Sequence, residues 1–202
     1  MSFFMALSRI WMRVWLFLIA CTLKIKGLHN FKKGENYIIV FNHNALLDIP
    51  LSSPFVPGAN KTIAKSSFAK IPLFGIFYKK GSILVDRKNE KSRINSYENM
   101  KKVLEKNMHM CIYPEGTRNR TNQDLKPFYD GAFKLAIETG KNIVPCIIKG
   151  TKVAMPINKI FYLFPTKLSM EFLPPVSSNN INTKDLNKKV FDLMHSKIKN
   201  EL

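Results

Sequence analysis

Tyr37-Ile38-Ile39-Val40-Phe41-Asn42-His43-Asn44-Ala45-Leu46-Leu47-Asp48 opens with five apolar residues, breaks at an Asn-His pair, and reaches a carboxylate five positions after the histidine. A short run of β-branched and aromatic residues without polar alternation reads as a strand buried on both faces. Two further runs share the plan. Ser82-Ile83-Leu84-Val85 ends in Asp86-Arg87, and Met110-Cys111-Ile112-Tyr113 ends in Pro114-Glu115-Gly116-Thr117-Arg118. Lys61-Thr62-Ile63-Ala64, Ile143-Val144-Pro145-Cys146-Ile147-Ile148 and Leu168 to Leu173 complete the expected strands. Pro145 predicts an edge or bulge position.

Helical segments separate these strands. One starts after His43 and ends by Pro50 or Pro54, one covers Ser92 to Lys106 with Ser92 as cap, one covers Gly131 to Gly140, and one runs from about Thr183 or Lys184 to the end. Ile94, Tyr97, Val103 and Leu104 supply the expected inner stripe of the second. Phe68 to Tyr78 reads as a short helix or a membrane-contacting loop. Alternating strands and helices predict the α/β class: one domain with a mixed, mostly parallel sheet flanked by helices. In such sheets ligands bind outside the carboxyl ends of the strands. The polar segments after the strands are therefore expected to face one cleft.

The 202 residues suit a single domain with a real core, and 46% hydrophobic content excludes general disorder. Lys and Arg outnumber Asp and Glu by 32 to 14, for a net charge of +18. That excess favours an anionic partner: nucleic acid, a membrane surface or a charged substrate. No zinc-finger spacing, RNP-like aromatic motif or long basic helix points to nucleic acid. Cys21, Cys111 and Cys146 are odd in number and widely spaced, which argues against a disulfide framework; with four scattered histidines, no metal site is expected.

Phe3 to Leu23 is mostly apolar but interrupted by Arg9 and Arg13, leaving ten uncharged residues from Val14 to Leu23. Ten helical residues rise about 15 Å, half of a hydrocarbon core about 30 Å thick. Trp11 and Trp15 beside arginines suit a helix lying in a membrane interface, with Arg9 and Arg13 at lipid phosphates. Residues 1–26 are accordingly expected to form a monotopic or single-pass anchor, and residues 27–202 the α/β domain. A cleaved signal peptide and a core-packed helix are the competing readings of this segment.

His43 and Asp48 would lie about 140° apart on one helix. If His43 sits in the turn before the helix, its ring can fold back to the carboxylate, which would hold one nitrogen as N–H and free the other as a base. No G-x-S-x-G elbow supplies a serine nucleophile, so direct attack by a substrate hydroxyl is the economical chemistry. Gly116 permits close backbone approach, Thr117 offers a hydroxyl, and Arg118 and Arg87 offer forks matched to phosphate oxygens. Lys65 and Lys126 are further cations to consider.

Asn42-His43 through Asp48, Gly81 to Arg87, Tyr113 to Arg118 and Ile143-Val144-Pro145 resemble, in order, the four blocks of the glycerolipid acyltransferases. Ala64-Lys65 through Pro72-Leu73-Phe74-Gly75, and Lys126-Pro127-Phe128 through Gly131-Ala132-Phe133, agree with that family between the blocks. The likeness covers about residues 25–150. It implies that His43 draws the proton from a lysophosphatidate hydroxyl with Asp48 orienting it. It implies that Arg87, Glu115, Gly116, Thr117 and Arg118 bind the glycerol phosphate. The acyl donor would be a thioester of coenzyme A or acyl carrier protein, used as co-substrate with no cofactor or acyl-enzyme. Phospholipid biosynthesis at the cytoplasmic face of the inner membrane follows as the setting. One departure is Ala45, where the family often has serine. An acyltransferase for another lysolipid, such as a lyso-ornithine lipid or lysophospholipid, fits the same blocks. An anionic-membrane binding protein would explain charge and anchor but leave His43 and Asp48 idle.

Overall fold

The computed structural model describes residues 2–71, 74–157 and 163–200. Among these residues seven strands form one sheet: β1 Thr22–Lys26, β2 Ile38–Phe41, β3 Asn60–Lys65, β4 Ser82–Val85, β5 His109–Ile112, β6 Ile143–Lys149 and β7 Lys167–Phe172. Their order is β1-β7-β6-β2-β5-β3-β4. Every neighbouring pair is parallel except β6 and β7. The helices are α1 Ser2–Leu18, α2 Asp48–Phe55, α3 Phe74–Gly81, α4 Glu90–Glu105, α5 Gly131–Thr139, α6 Thr151–Ala154 and α7 Thr183–Lys199.

β2 shows why the sheet is central. Its residues are all buried, and alternate side chains point to opposite faces. Ile38 and Val40 join Met100, Leu104, Phe133, Leu186 and Val190 from α4, α5 and α7. Ile39 and Phe41 join Met12, Leu16, Leu51, Phe55 and Ala154 from α1, α2 and α6. The result is a three-layer α/β domain, with the carboxyl ends of β2, β3, β4, β5 and β6 on one edge.

Several expectations are corrected. The N-terminal helix stops at Leu18, and Thr22–Lys26, read from sequence as part of the anchor, is a sheet strand instead. Its Arg9 turns toward the protein, where Nε donates to the Pro54 carbonyl at 2.8 Å, while Arg13 sits 5.9 Å from the centre of the Phe55 ring. Helix α4 is capped by Asn89, whose side chain accepts from the Ser92 N–H. Ser96, Met100, Val103 and Leu104 form its buried stripe, with Ile94 exposed. Helix α2 begins at Asp48 and runs through both prolines to Phe55; Pro50 falls in the first turn, where a missing N–H leaves no helical bond unmade.

Pro145 lies in an interior strand, opposite Val40 of β2. Its carbonyl accepts from the Leu173 N–H, on the β7 side. There the antiparallel register slips by one residue, from Cys146↔Phe172 to the bridge Ile143↔Val176. The proline thus sits at a bulge, where the ladder is already interrupted. Phe68 to Tyr78 divides between a 3₁₀ turn, Ser66–Lys70, and α3; Pro72 and Leu73 lie outside the described residues. The three cysteines are buried free thiols.

Candidate active site

β2 ends at Phe41, and the next side chain extends its pairing. Asn42 Nδ2 donates to the Ile148 carbonyl at 2.9 Å, and its Oδ1 accepts from the Ile148 N–H at 2.7 Å. This fixes the chain direction just before His43. The helix starts only at Asp48, so residues 43–47 form a turn that folds back on the carboxylate. Asp48 Oδ2 lies 2.8 Å from His43 Nδ1 and accepts the N–H groups of Asn44 at 2.6 Å and Ala45 at 2.7 Å. Asp48 is fully buried, and its other oxygen has no partner among the described residues. An ionised Asp48 accepts only, so Nδ1 carries the proton and Nε2 is left as the basic nitrogen.

The His43 peptide is clasped by the loop after β5. Its N–H donates to Glu115 Oε1 at 2.6 Å, and its carbonyl accepts from the Asn119 N–H at 2.6 Å. Glu115 Oε2 accepts from the Lys126 N–H at 3.0 Å. Burial raises the Glu115 carboxyl above its ordinary pKa, opposed by the N–H bonds from His43 and Lys126. The residue is 1% exposed and does not line the cleft. Glu115, expected among the substrate-binding groups, is instead an internal tie between histidine loop and glycine turn.

Behind the imidazole stands Tyr113, its ring centroid 4.6 Å from that of His43. Its hydroxyl is 2.7 Å from Ser52 Oγ, one helical turn beyond Asp48. Burial, then the charge of Asp48, pushes this phenol well above its usual pKa, so it stays neutral.

In front of the histidine is a cleft of about 510 Å³. Leu46, Ile49, Ile63, Phe68 and Tyr78 supply its apolar lining, with Phe68 and Tyr78 stacked at 5.1 Å. Lys65, Arg87, Gly116, Thr117, Arg118, Arg120 and Lys126 supply the polar side. Arg87 Nη1 donates to the Gly116 carbonyl, and Lys126 Nζ donates to Thr117 Oγ1 at 2.6 Å. Gly116 has φ of +70°, and an added Cβ would come within 2.7 Å of the Tyr129 ring. Only glycine turns here without strain. Of the residues expected at the site, His43, Arg87, Gly116, Thr117 and Arg118 line one cleft, and Asp48 and Glu115 support it from behind. Arg120, Asn119, Ser52 and Tyr113 join the site without a role expected from the sequence. Lys65 ends β3 as Arg87 follows β4, and the strand-end rule points to both. Asn119 carries no comparable signal, since its buried contacts are all tertiary or within its loop.

The arrangement can deprotonate a hydroxyl held beside an anionic group, against an apolar wall. The sequence profile of the acyltransferase family matches residues 22–149. A 1-acyl-sn-glycerol-3-phosphate acyltransferase of Haemophilus influenzae is 31% identical over 172 residues, covering 83% of this chain and 70% of that protein. The enzyme of that name from Cocos nucifera is 31% identical over 161 residues, or 79% of this chain, which spans about half (51%) of that longer protein. The fold is shared with a 1-acyl-sn-glycerophosphate acyltransferase of Thermotoga maritima, at a TM-score of 0.85 and 22% identity, covering 97% of this chain and 78% of that one. With a family profile spanning most of the sheet and all four blocks in their expected order, the chain belongs to the acyltransferase family.

Proposed function

We propose that this protein transfers an acyl chain from a thioester donor to the free hydroxyl of lysophosphatidate, forming phosphatidate for phospholipid synthesis. The observation that carries the reading is the His43–Asp48 pair, 2.8 Å apart, with His43 lining a cleft that is also lined by cations. His43 Nε2 takes the hydroxyl proton as the oxygen attacks the thioester carbonyl carbon. The C–S bond then breaks, and the imidazolium returns the proton to the departing thiolate. Asp48 stabilises the imidazolium between these two steps. Arg118, Arg87 and Lys126 gather about the glycine turn and suit the acceptor phosphate. The apolar wall suits an acyl chain. The names of the Haemophilus and Cocos relatives support lysophosphatidate as acceptor.

The N-terminal helix has an unusual surface. Met5, Met12 and Leu16 are buried, yet Phe3, Leu7, Ile10, Val14 and Phe17 form a second apolar stripe that is exposed. Trp11 stacks on Phe77 of α3 at 6.1 Å, and Ile76 beside it is 70% exposed. No helix among the described residues is long and apolar enough to cross a membrane. This face suits an interfacial seating on an anionic membrane, the cytoplasmic face of the inner membrane in our reading, with α3 sharing the contact.

The test is thiol release from an acyl thioester in the presence of detergent-dispersed lysophosphatidate, with the product identified by mass. Wild type should form phosphatidate, and His43→Ala should lose at least a thousandfold in kcat while remaining folded. A His43→Ala variant with near-normal turnover would remove the proposed base.

A further inference from the structure

Helix α1 meets strand β1 and the end of α2 across an apolar groove of about 270 Å³. Leu16 and Phe17 come from α1, Leu23 and Ile25 from β1 and Phe55 from α2, with Arg13 beside them. None of these residues lines the cleft in front of His43. At about 30 Å³ per water molecule the groove has room for about nine, but its apolar side chains give water no partners. Apolar surface left facing water in this way favours an apolar occupant.

Two local features narrow the choice. β1 is the last strand at its end of the sheet, with Thr22, Lys24 and Lys26 exposed and Leu23 and Ile25 half-buried. Successive strand residues point to opposite faces, so the β1 lysines turn away from the groove. Arg13 is the one charged residue in the lining among the described residues, and it makes no ion pair among them. Its guanidinium is exposed and lies 5.9 Å from the centre of the Phe55 ring, over the apolar floor. Such a fork matches phosphate oxygens. Phe17 belongs both to the groove and to the exposed apolar stripe of α1, so the groove borders the face read above as membrane-seated.

A molecule that brings an apolar chain to Leu16, Leu23 and Ile25 and an anion to Arg13 is a phospholipid. We propose that this groove holds one acyl chain of an anionic membrane phospholipid, with the lipid phosphate on Arg13. A zwitterionic headgroup brings an ammonium to a lining that has no carboxylate to receive it among the described residues. The site is separate from the catalytic cleft and takes a resident lipid, not donor or acceptor. The inference shares with the proposed function only the seating of α1 on an anionic membrane and needs none of the acyl-transfer chemistry.

Calorimetry with dihexanoyl-phosphatidylglycerol and dihexanoyl-phosphatidylcholine, both monomeric in solution, tests the groove without a bilayer. Wild type should bind the anionic lipid about tenfold more tightly, the low end for a charge-assisted hydrogen bond. Arg13→Gln should bring the two affinities within twofold. Leu23→Trp, which fills the groove, should weaken both at least tenfold. Arg118→Ala, in the cleft, should bind phosphatidylglycerol as wild type does. No binding by wild type, equal wild-type affinities, or an Arg13→Gln protein that still discriminates would overturn the proposal. Loss of binding in Arg118→Ala would move the lipid to the catalytic cleft and overturn it as well. Because Arg13 is exposed, Arg13→Gln should keep its thermal midpoint, and its thiol release with detergent-dispersed lysophosphatidate should stay within twofold. A shifted acyl-chain preference in either groove variant would make the groove a branch of the catalytic cleft and refute a separate site. Wild type that binds the monomeric lipid but does not sediment with anionic vesicles would lose the membrane seating and keep the groove.

Discussion

Replacing Asp48 by asparagine isolates the charge of the proposed catalytic pair. In the wild type, three donors converge on Oδ2, the His43 Nδ1–H and the N–H groups of Asn44 and Ala45. The asparagine oxygen can take that position and keep all three. Its NH₂ then occupies the place of Oδ1, which is buried without a partner. An unsatisfied buried donor costs about 1–3 kcal/mol, so the thermal midpoint should fall by several degrees, at about 2–4 °C per kcal/mol for a chain of this size. The histidine tautomer survives, and what is lost is the carboxylate's attraction for the imidazolium. At charge centres about 4 Å apart and an effective dielectric of about 20, that attraction is about 4 kcal/mol, or roughly a thousandfold in rate. Steady-state thiol release at saturating donor and acceptor should therefore show kcat reduced about a thousandfold. KM for lysophosphatidate should move little, because Arg87 and Arg118 are untouched. A folded Asp48→Asn enzyme within tenfold of wild-type kcat would refute the electrostatic role and leave Asp48 as a turn-holding residue only.

Three other outcomes are expected. Tyr113→Phe removes the hydroxyl bonded to Ser52 but keeps the ring against His43; stability should drop about 1 kcal/mol and kcat should stay within about threefold, whereas a larger kcat loss at normal stability would implicate the hydroxyl in catalysis. Burial lowers the pKa of His109 to about 4, with a Pro57 carbonyl bond opposing the shift. The unfolded chain binds this proton below about pH 6.5 while the folded chain refuses it, so stability should fall as pH drops from 6.5 toward 4, by roughly 2–3 kcal/mol at pH 4.5. Urea midpoints at pH 7 and 4.5 should show that loss shrinking in His109→Gln, and an unchanged loss would clear His109. Phe3 and Phe17 are each 82% exposed, so Phe3→Glu with Phe17→Glu should spare the fold yet cut co-sedimentation with anionic vesicles more than tenfold; undiminished binding would move the membrane contact off α1.

Strand ends were the legible part of this chain. A buried parallel strand must be apolar throughout, so the residue where polarity returns marks both the strand's end and the edge where ligands bind. That logic reaches His43, Arg87 and Arg118 with no tertiary information. Glu115, placed among the phosphate-binding groups by the family resemblance and not by the strand rule, shares the turn with Arg118 but points inward to the His43 and Lys126 N–H groups. Within a tight turn the local pattern does not say which side chain faces solvent, and the deciding partners lie far off in sequence.

The same limit governs the N-terminus. Helical periodicity groups Arg9 with Arg13 but is silent on what that face meets, and in the fold it meets α2. Thr22-Leu23-Lys24-Ile25-Lys26 carries a period-two signal, and its residues alternate between exposed and half-buried in the sheet. Reading the apolar run before it as one long anchor hides that alternation. The strand matters for how α1 sits. With β1 paired to β7, Met12, Leu16 and Cys21 packed in the core, and Met5 buried nearer its start, the helix is held along its buried stripe. Its exposed stripe therefore has a set orientation relative to the cleft, and an interfacial helix so held would fix how the whole domain sits on a bilayer, where a flexible tether would only hold it nearby.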